Sequence, residues 1–202
     1  MKGQWTNIYS GDLALRSWWV DSVNDCKYVS ILLPEVFGIN NWIRSFSEKL
    51  AQQNVPVLAL PLYGRTAPNL DLEYSEEDLK LGRHHKNLTT LKNIIDDVSA
   101  AINWVKEKYP SKKISIIGFC FGGHAAFIAS SLKGIESSFC FYGAGIVSLR
   151  NDTNSAPIDL LEKVSGKLNF ICGSSDDLIP LRDRLEIKKR FKKLDPLGKR
   201  FS

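Results

Sequence analysis

Six residues carry the strongest chemical signal in this sequence: Gly118-Phe119-Cys120-Phe121-Gly122-Gly123. They follow an apolar, β-branched run and precede a helix-period segment. In that context the pattern G-x-C-x-G-G reads as a nucleophile elbow with cysteine in the serine position. Small residues two before and two after the nucleophile let neighbouring backbone approach closely. The sharp turn exposes the sulfur at a helix N-terminus, where free N–H groups and the macrodipole favour a thiolate and an oxyanion alike. The N–H of Phe121, the first of that helix, can donate to a developing oxyanion. Such a group does acyl transfer through a covalent intermediate. The plainer alternative is a glycine-rich turn around a buried structural cysteine. A dinucleotide loop, G-x-G-x-x-G, is not met, because Cys120 occupies the second glycine position.

Strands alternating with helices must position such a turn. Tyr28–Leu33, Val55–Leu60, Lys113–Gly118, Ser138–Tyr142 and Leu168–Cys172 are short apolar runs of strand type. Between them, Asn41–Gln53, Leu88–Tyr109, Phe121–Leu132, Pro157–Val164 and Leu181–Leu194 read as helices, with a surface helix within Glu73–Lys86. Leu91, Ile94, Ile95, Val98, Ala101, Ile102 and Val105 make one stripe on the longest. Near-continuous apolar strands alternating with helices predict a mostly parallel, doubly wound α/β sheet. The first 27 residues predict an antiparallel hairpin at its edge. Chemistry in such sheets lies at the carboxyl ends of the strands.

The 202 residues, 44% hydrophobic and 24% charged, suit one soluble domain, 1–202, and exclude a coiled coil, a collagen repeat or a disordered tail. No run approaches the roughly 18–20 apolar residues of a membrane span. The N-terminus has no apolar signal region, so the reading is a cytoplasmic protein with no membrane partner. Cys26, Cys120, Cys140 and Cys172 form no C-x-x-C pair, which argues against a zinc or dithiol centre; no metal or cofactor is expected. The net charge of +5 is uneven. Arg182–Ser202 holds nine basic and three acidic residues, while the rest holds 18 and 19. The excess belongs to one terminal segment, and a nucleic-acid partner is not expected from it.

Four motifs in order carry a family resemblance: Pro34-Glu35-Val36-Phe37-Gly38-Ile39-Asn40, Leu62-Tyr63-Gly64-Arg65, the Cys120 turn, and Gly173-Ser174-Ser175-Asp176-Asp177-Leu178-Ile179-Pro180. From about residue 28 to 195 the chain resembles the dienelactone hydrolases of the α/β-hydrolase superfamily. The resemblance implies hydrolysis of a small ester or lactone through an acyl-enzyme. It implies Cys120 as nucleophile, Asp176 as the acid that orients a catalytic histidine, and Glu35 as the carboxylate that governs the thiol. It also implies an oxyanion hole from the N–H groups of Val36 and Phe121, and Tyr63 and Arg65 at the mouth for substrate. Asp176 and Asp177 read alternatively as turn residues before the helix that Pro180 opens. Glu35 and Arg65 read alternatively as solvated surface charges. Arg83 is the nearest candidate for a further family arginine. The oligomeric state implied is a monomer or a homodimer.

The base that the resemblance requires is a histidine after Asp176, and the three histidines are His84, His85 and His124. His84 and His85 sit in a charged stretch and read as solvated. His124, one helical turn beyond Cys120, reads as a packed or surface side chain. The resemblance puts the base, one more strand and a last helix past Ser202, so a C-terminally shortened form is the expectation. The readings that follow are an ester or lactone hydrolase and an impaired remnant that at most binds a small ligand. A peroxide-reactive thiol and, more weakly, a nucleic-acid binder through the terminal helix complete the set.

Overall fold

The computed structural model describes residues 2–202. Seven strands form one sheet in the order β1-β2-β4-β3-β5-β6-β7. Gln4–Ser10 (β1) and Leu13–Val20 (β2) make the antiparallel hairpin, and β2 pairs antiparallel with Val57–Ala59 (β4). Tyr28–Leu33 (β3), Lys113–Phe119 (β5), Ile135–Phe141 (β6) and Lys167–Ile171 (β7) continue the sheet in parallel. Arg200–Ser202 run beside β7: the Leu168 N–H donates to Arg200 O at 2.7 Å and the Ser202 N–H to Leu168 O at 3.0 Å. Five helices cover the faces: Asn41–Gln52 (α1), Glu76–Leu88 (α2), Leu91–Lys108 (α3), Phe121–Ala129 (α4) and Leu181–Leu194 (α5). Among the described residues, no helix is long and apolar enough to cross a membrane.

Strand burial explains the composition. Val29, Ile31, Leu32 and Leu33 of β3 are fully buried, as a central parallel strand covered on both faces requires. On α3, Ile94, Val98, Ala101, Ile102 and Val105 are buried, the stripe the spacing predicts. All nine residues of α4 are buried. An apolar nine-residue helix with no polar face has its place only in the middle of the molecule.

Several boundaries differ from the sequence reading: β4 is confined to Val57–Ala59, β6 begins at Ile135 and α4 ends at Ala129. The predicted helix Leu88–Tyr109 starts three residues later than its spacing suggests: the preceding surface helix, α2, runs on through Leu88, and α3 begins at Leu91. The cause is a capping box, in which Thr90 Oγ1 accepts from the Asn93 N–H at 3.1 Å and Asn93 Oδ1 accepts from the Thr90 N–H at 3.0 Å. The predicted Pro157–Val164 helix is a 3₁₀ segment over Pro157–Lys163.

The closest packing lies where α4 meets the sheet. A Cβ on Gly118 would stand 1.9 Å from Gly122 O, one on Gly122 2.0 Å from Leu33 O, and one on Gly123 2.3 Å from Phe141 O. The first turn of α4 therefore rests directly on the ends of β3 and β6. Gly122→Ala is expected to destabilise the protein by about 2–3 kcal/mol, because backbone must move to admit the methyl group. Gly173→Ala, where nothing lies within 4 Å, is expected to stay within about 0.5 kcal/mol of wild type. Urea unfolding of the two variants checks the contrast.

Candidate active site

The carboxyl ends of the parallel strands converge on a cleft of about 680 Å³. Cys120 enters from the end of β5, Tyr142 from β6, Asp176 from the loop after β7, and Val36 and Phe37 from the loop after β3. Arg83 and Lys86 of α2 and the loop after β6, including Arg150 and Asp152, line the same space. Among the described residues, no group of three or more His, Cys, Asp or Glu side chains is arranged to hold a metal ion.

Cys120 has φ 53° and ψ −116°, in the left-handed half of conformational space that a side chain rarely enters. Its N–H donates to Phe141 O at 3.0 Å, which ties the turn to β6. Cys120 occupies the cap position of α4 and no side chain caps that end. The helix therefore keeps free N–H groups at the sulfur. Burial pushes the Cys120 thiol up, and the nearby charge of Glu35 adds to the rise. Hydrogen bonds from the N–H groups of Phe121 and Val36 and the ammonium of Lys86 act the other way.

Glu35 is held from two sides. The Tyr74 hydroxyl donates to Oε2 at 2.9 Å and the Tyr142 hydroxyl to Oε1 at 3.3 Å. Burial raises both phenols, so they remain protonated donors at neutral pH. Tyr74 is fixed edge-on to Phe37, with ring centroids 4.6 Å apart. Asp176 lines the cleft with Cys120, and its Oδ1 accepts from the Leu178 N–H at 2.9 Å. That bond closes the turn after β7. The cap of α5 is Pro180, which offers no side-chain acceptor, so Asp176 is not a helix cap.

Two predicted positions differ. Arg65 does not reach the cleft. Its Nη1 donates to Asp97 Oδ2 at 2.5 Å, and it lines a separate cleft of about 650 Å³ between the β1–β2 turn and α3. Asp97 is 1% exposed, and a carboxylate that deep requires a paired cation, so it claims the guanidinium. Neither cysteine nor histidine lines this second cleft. Tyr63 does not flank a mouth either. It is buried behind Phe121, rings stacked at 5.9 Å, with burial pushing its hydroxyl far above the ordinary tyrosine range. Leu62 and Tyr63 turn into the core, which takes the motif inward.

His124 is buried but edges the cleft, and both ring nitrogens are engaged. Nδ1 lies 2.8 Å from Ala144 O and Nε2 2.9 Å from Arg150 Nη1. Arginine only donates, so Nε2 accepts and Nδ1 carries the proton to Ala144 O. Burial depresses this imidazole to about 4. Tyr74, Tyr142, Lys86, Arg150 and Asp152 escaped the sequence reading. A tyrosine directly after a parallel strand marks Tyr142; nothing local in the sequence marks Arg150.

The geometry defines an α/β-hydrolase fold with a cysteine at the elbow of its central strand. The Dienelactone hydrolase family profile matches residues 18–197, and the chain belongs to that family. The family is one of ester and lactone hydrolases. A provisionally named carboxymethylenebutenolidase of Synechocystis sp. is 32% identical over 167 residues, 82% of this chain and 68% of its own. The carboxymethylenebutenolidase of Pseudomonas putida is 25% identical over 158 residues, 75% of this chain and 65% of its own. The chain thus spans about two thirds of the length of these relatives. Among solved structures, an esterase from Pyrococcus furiosus matches with TM-score 0.71 at 19% identity, over 100% of this chain and 79% of its own. A provisionally named dienelactone hydrolase from Klebsiella pneumoniae matches with TM-score 0.80 at 18% identity, over 95% and 80%.

Two outcomes follow from the charges. The His124 imidazole, near 4 in the folded state against an ordinary value of 6.5, binds its proton less readily folded than unfolded. Stability from this group is complete above about pH 6.5 and is lost as pH falls towards 4, a change on the order of 3 kcal/mol. Chemical denaturation of wild type and His124→Gln between pH 4 and 7 checks it, the variant losing that part of the slope. In the second, Glu35→Gln removes a negative charge beside the thiol, so the Cys120 pKa falls. The pH dependence of its alkylation by iodoacetamide reads that directly, and an unchanged midpoint contradicts it.

Proposed function

We propose that this protein hydrolyses small esters or lactones by acyl transfer to Cys120. The observation that carries the reading is the sulfur on the strained turn at the open end of α4, with two backbone donors against it. The thiol proton passes to Glu35 as the sulfur attacks the carbonyl carbon. The carbonyl oxygen becomes an oxyanion that accepts from the N–H groups of Val36 and Phe121. As the adduct collapses, the proton on Glu35 passes to the leaving oxygen, the alcohol departs or the lactone opens, and a thioester is left on Cys120. Water then attacks the thioester, giving a proton to Glu35; the C–S bond breaks, the carboxylic acid leaves, and the proton returns to the sulfur to restore the thiol. Asp176 is the acid of the site, which in the family pattern orients a histidine. Arg83 and Lys86 make one wall cationic, which favours acyl groups bearing a carboxylate.

A cytoplasmic, monomeric or homodimeric protein acting on a small molecule remains our reading. The alternative is a chain that binds such compounds without turning them over. His124 favours it, since its nitrogens are committed to Ala144 and Arg150 and it offers no base to the thiol.

p-Nitrophenyl acetate separates the two. Wild type is expected to release nitrophenol with an acetyl group appearing on Cys120 by mass spectrometry. Cys120→Ala is expected to lose at least about 100-fold in kcat/KM. Equal rates in the two proteins remove Cys120 from the reaction. A wild type that is acetylated once and never released supports the binding-only reading.

A further inference from the structure

We infer that His124 is a positioning residue, a neutral imidazole strut that fixes the loop walling one side of the cleft to the helix that carries Cys120. The inference rests on the hydrolase reading only for its kinetic consequence; the strut itself is geometry.

Residues 143–155 connect β6 to the 3₁₀ segment, and Ala144, Gly145, Ser148, Leu149, Arg150, Asn151 and Asp152 from this loop face the cleft. A loop of this length needs anchors to hold one shape. Ile146 is buried in the core and its O accepts from the Ile158 N–H at 2.9 Å; the three anchors that tie the loop to the cleft walls all meet at two side chains. The first is at its start, where the backbone of Gly143 nearly touches α4: a Cβ there would stand 2.6 Å from His124 N. Immediately after, the Nδ1–H of His124 donates to Ala144 O at 2.8 Å, and Gly145 passes over the ring at φ 75°. The second is Arg150, whose Nη1 donates to His124 Nε2 and whose Nη2 donates to Thr89 O, each at 2.9 Å. The third is Asp152, which receives Arg150 Nε at 2.9 Å and the Leu91 N–H at the start of α3.

The chain of contacts therefore runs from α4 through His124 and Arg150 to the α2–α3 junction. That junction carries the other wall, with Arg83 and Lys86. His124 is the one member that touches both the start and the middle of the loop. Its chemistry suits the task. A neutral imidazole offers one donor and one acceptor on opposite edges, which matches a carbonyl on one side and a guanidinium on the other. Lysine or arginine here would repel Arg150, and leucine would leave Ala144 O and one guanidinium N–H without a partner in a buried setting. The charge of Arg150 is answered by Asp152. The pair is thus occupied with structure, while Arg83 and Lys86 have no ion-pair partner among the described residues.

The test uses the intact chain and three variants: His124→Leu, His124→Asn and His124→Gln. Leu lacks both bonds. Asn keeps only a group near the Nδ1 position, and Gln keeps an acceptor that reaches Arg150. Amide hydrogen exchange over 143–155 is expected to quicken at least about tenfold in the Leu variant, in part in the Asn variant, and least in the Gln variant. In the same proteins KM for a carboxylate-bearing p-nitrophenyl ester is expected to rise about tenfold, with kcat falling less. Alkylation of Cys120 by iodoacetamide, a small reagent that needs no contact with this loop, reads whether the elbow itself is disturbed. Loop exchange unchanged in all three variants overturns the inference. So does a parallel fall in kcat and alkylation rate with KM unchanged, because that outcome assigns His124 to the nucleophile instead of the loop. Should wild type hydrolyse nothing, the hydrolase reading fails alone, and the exchange order Leu, Asn, Gln still decides the strut.

Discussion

Everything in this molecule depends on how closely the first turn of α4 sits on the ends of β3 and β6. The contact is backbone on backbone, made possible by hydrogen atoms where Gly118, Gly122 and Gly123 lack a side chain. It brings the N–H of Phe121 and the N–H of Val36, from two different strand ends, against one sulfur. A larger residue at any of the three glycines separates those donors. The same approach forces Cys120 into positive φ, a strain on the order of 1–3 kcal/mol that the surrounding packing must hold. The buried, apolar α4 supplies that packing. Phe127 and Ile128 are inaccessible to solvent, and Phe127 stacks on Phe191 of α5.

The charges around the sulfur form a balance that follows from this placement. Desolvation favours the thiol, and the carboxylate of Glu35 favours it too; the two N–H donors and Lys86 favour the thiolate. Glu35 cannot drift away, because Tyr74 and Tyr142 hold one oxygen each. A neutral thiol beside a fixed carboxylate is a resting arrangement that resists adventitious oxidation, since thiolate is the reactive form. The proposed chemistry then starts when a carbonyl arrives and the proton moves to Glu35.

The strands, the hairpin edge and all five helices were legible in the sequence because each rests on periodicity, apolar density or a run of surface charge. The exact boundary between α2 and α3 was not: α2 runs on through Leu88 and α3 begins at Leu91, where Thr90 and Asn93 stand at capping-box spacing. The elbow was legible because its glycines and cysteine are local. Arg65 was misplaced for the opposite reason. Its fate is decided by Asp97, 32 positions away, and no local signal says that Asp97 is buried. His124 was legible as packed but not as a strut. Its partners Ala144 and Arg150 come from a loop without periodicity, brought back by the turn of β6.

The uneven charge of the sequence takes its meaning from the same kind of long-range pairing. Nine basic residues after position 181 look like an anion-binding patch. Three of them are spent on holding the end of the chain in place. Arg184 donates to Gly173 O and Ile179 O, which braces the turn that presents Asp176. Arg190 pairs with Asp159 of the 3₁₀ segment, and Arg200 donates to Val164 O. Arginine suits such work, because its fork reaches two carbonyls at once where lysine offers a single point of charge. The basic surplus is therefore in part the means by which α5 and the loop after β7 are fixed, and through them Asp176 faces the cleft that Cys120 occupies.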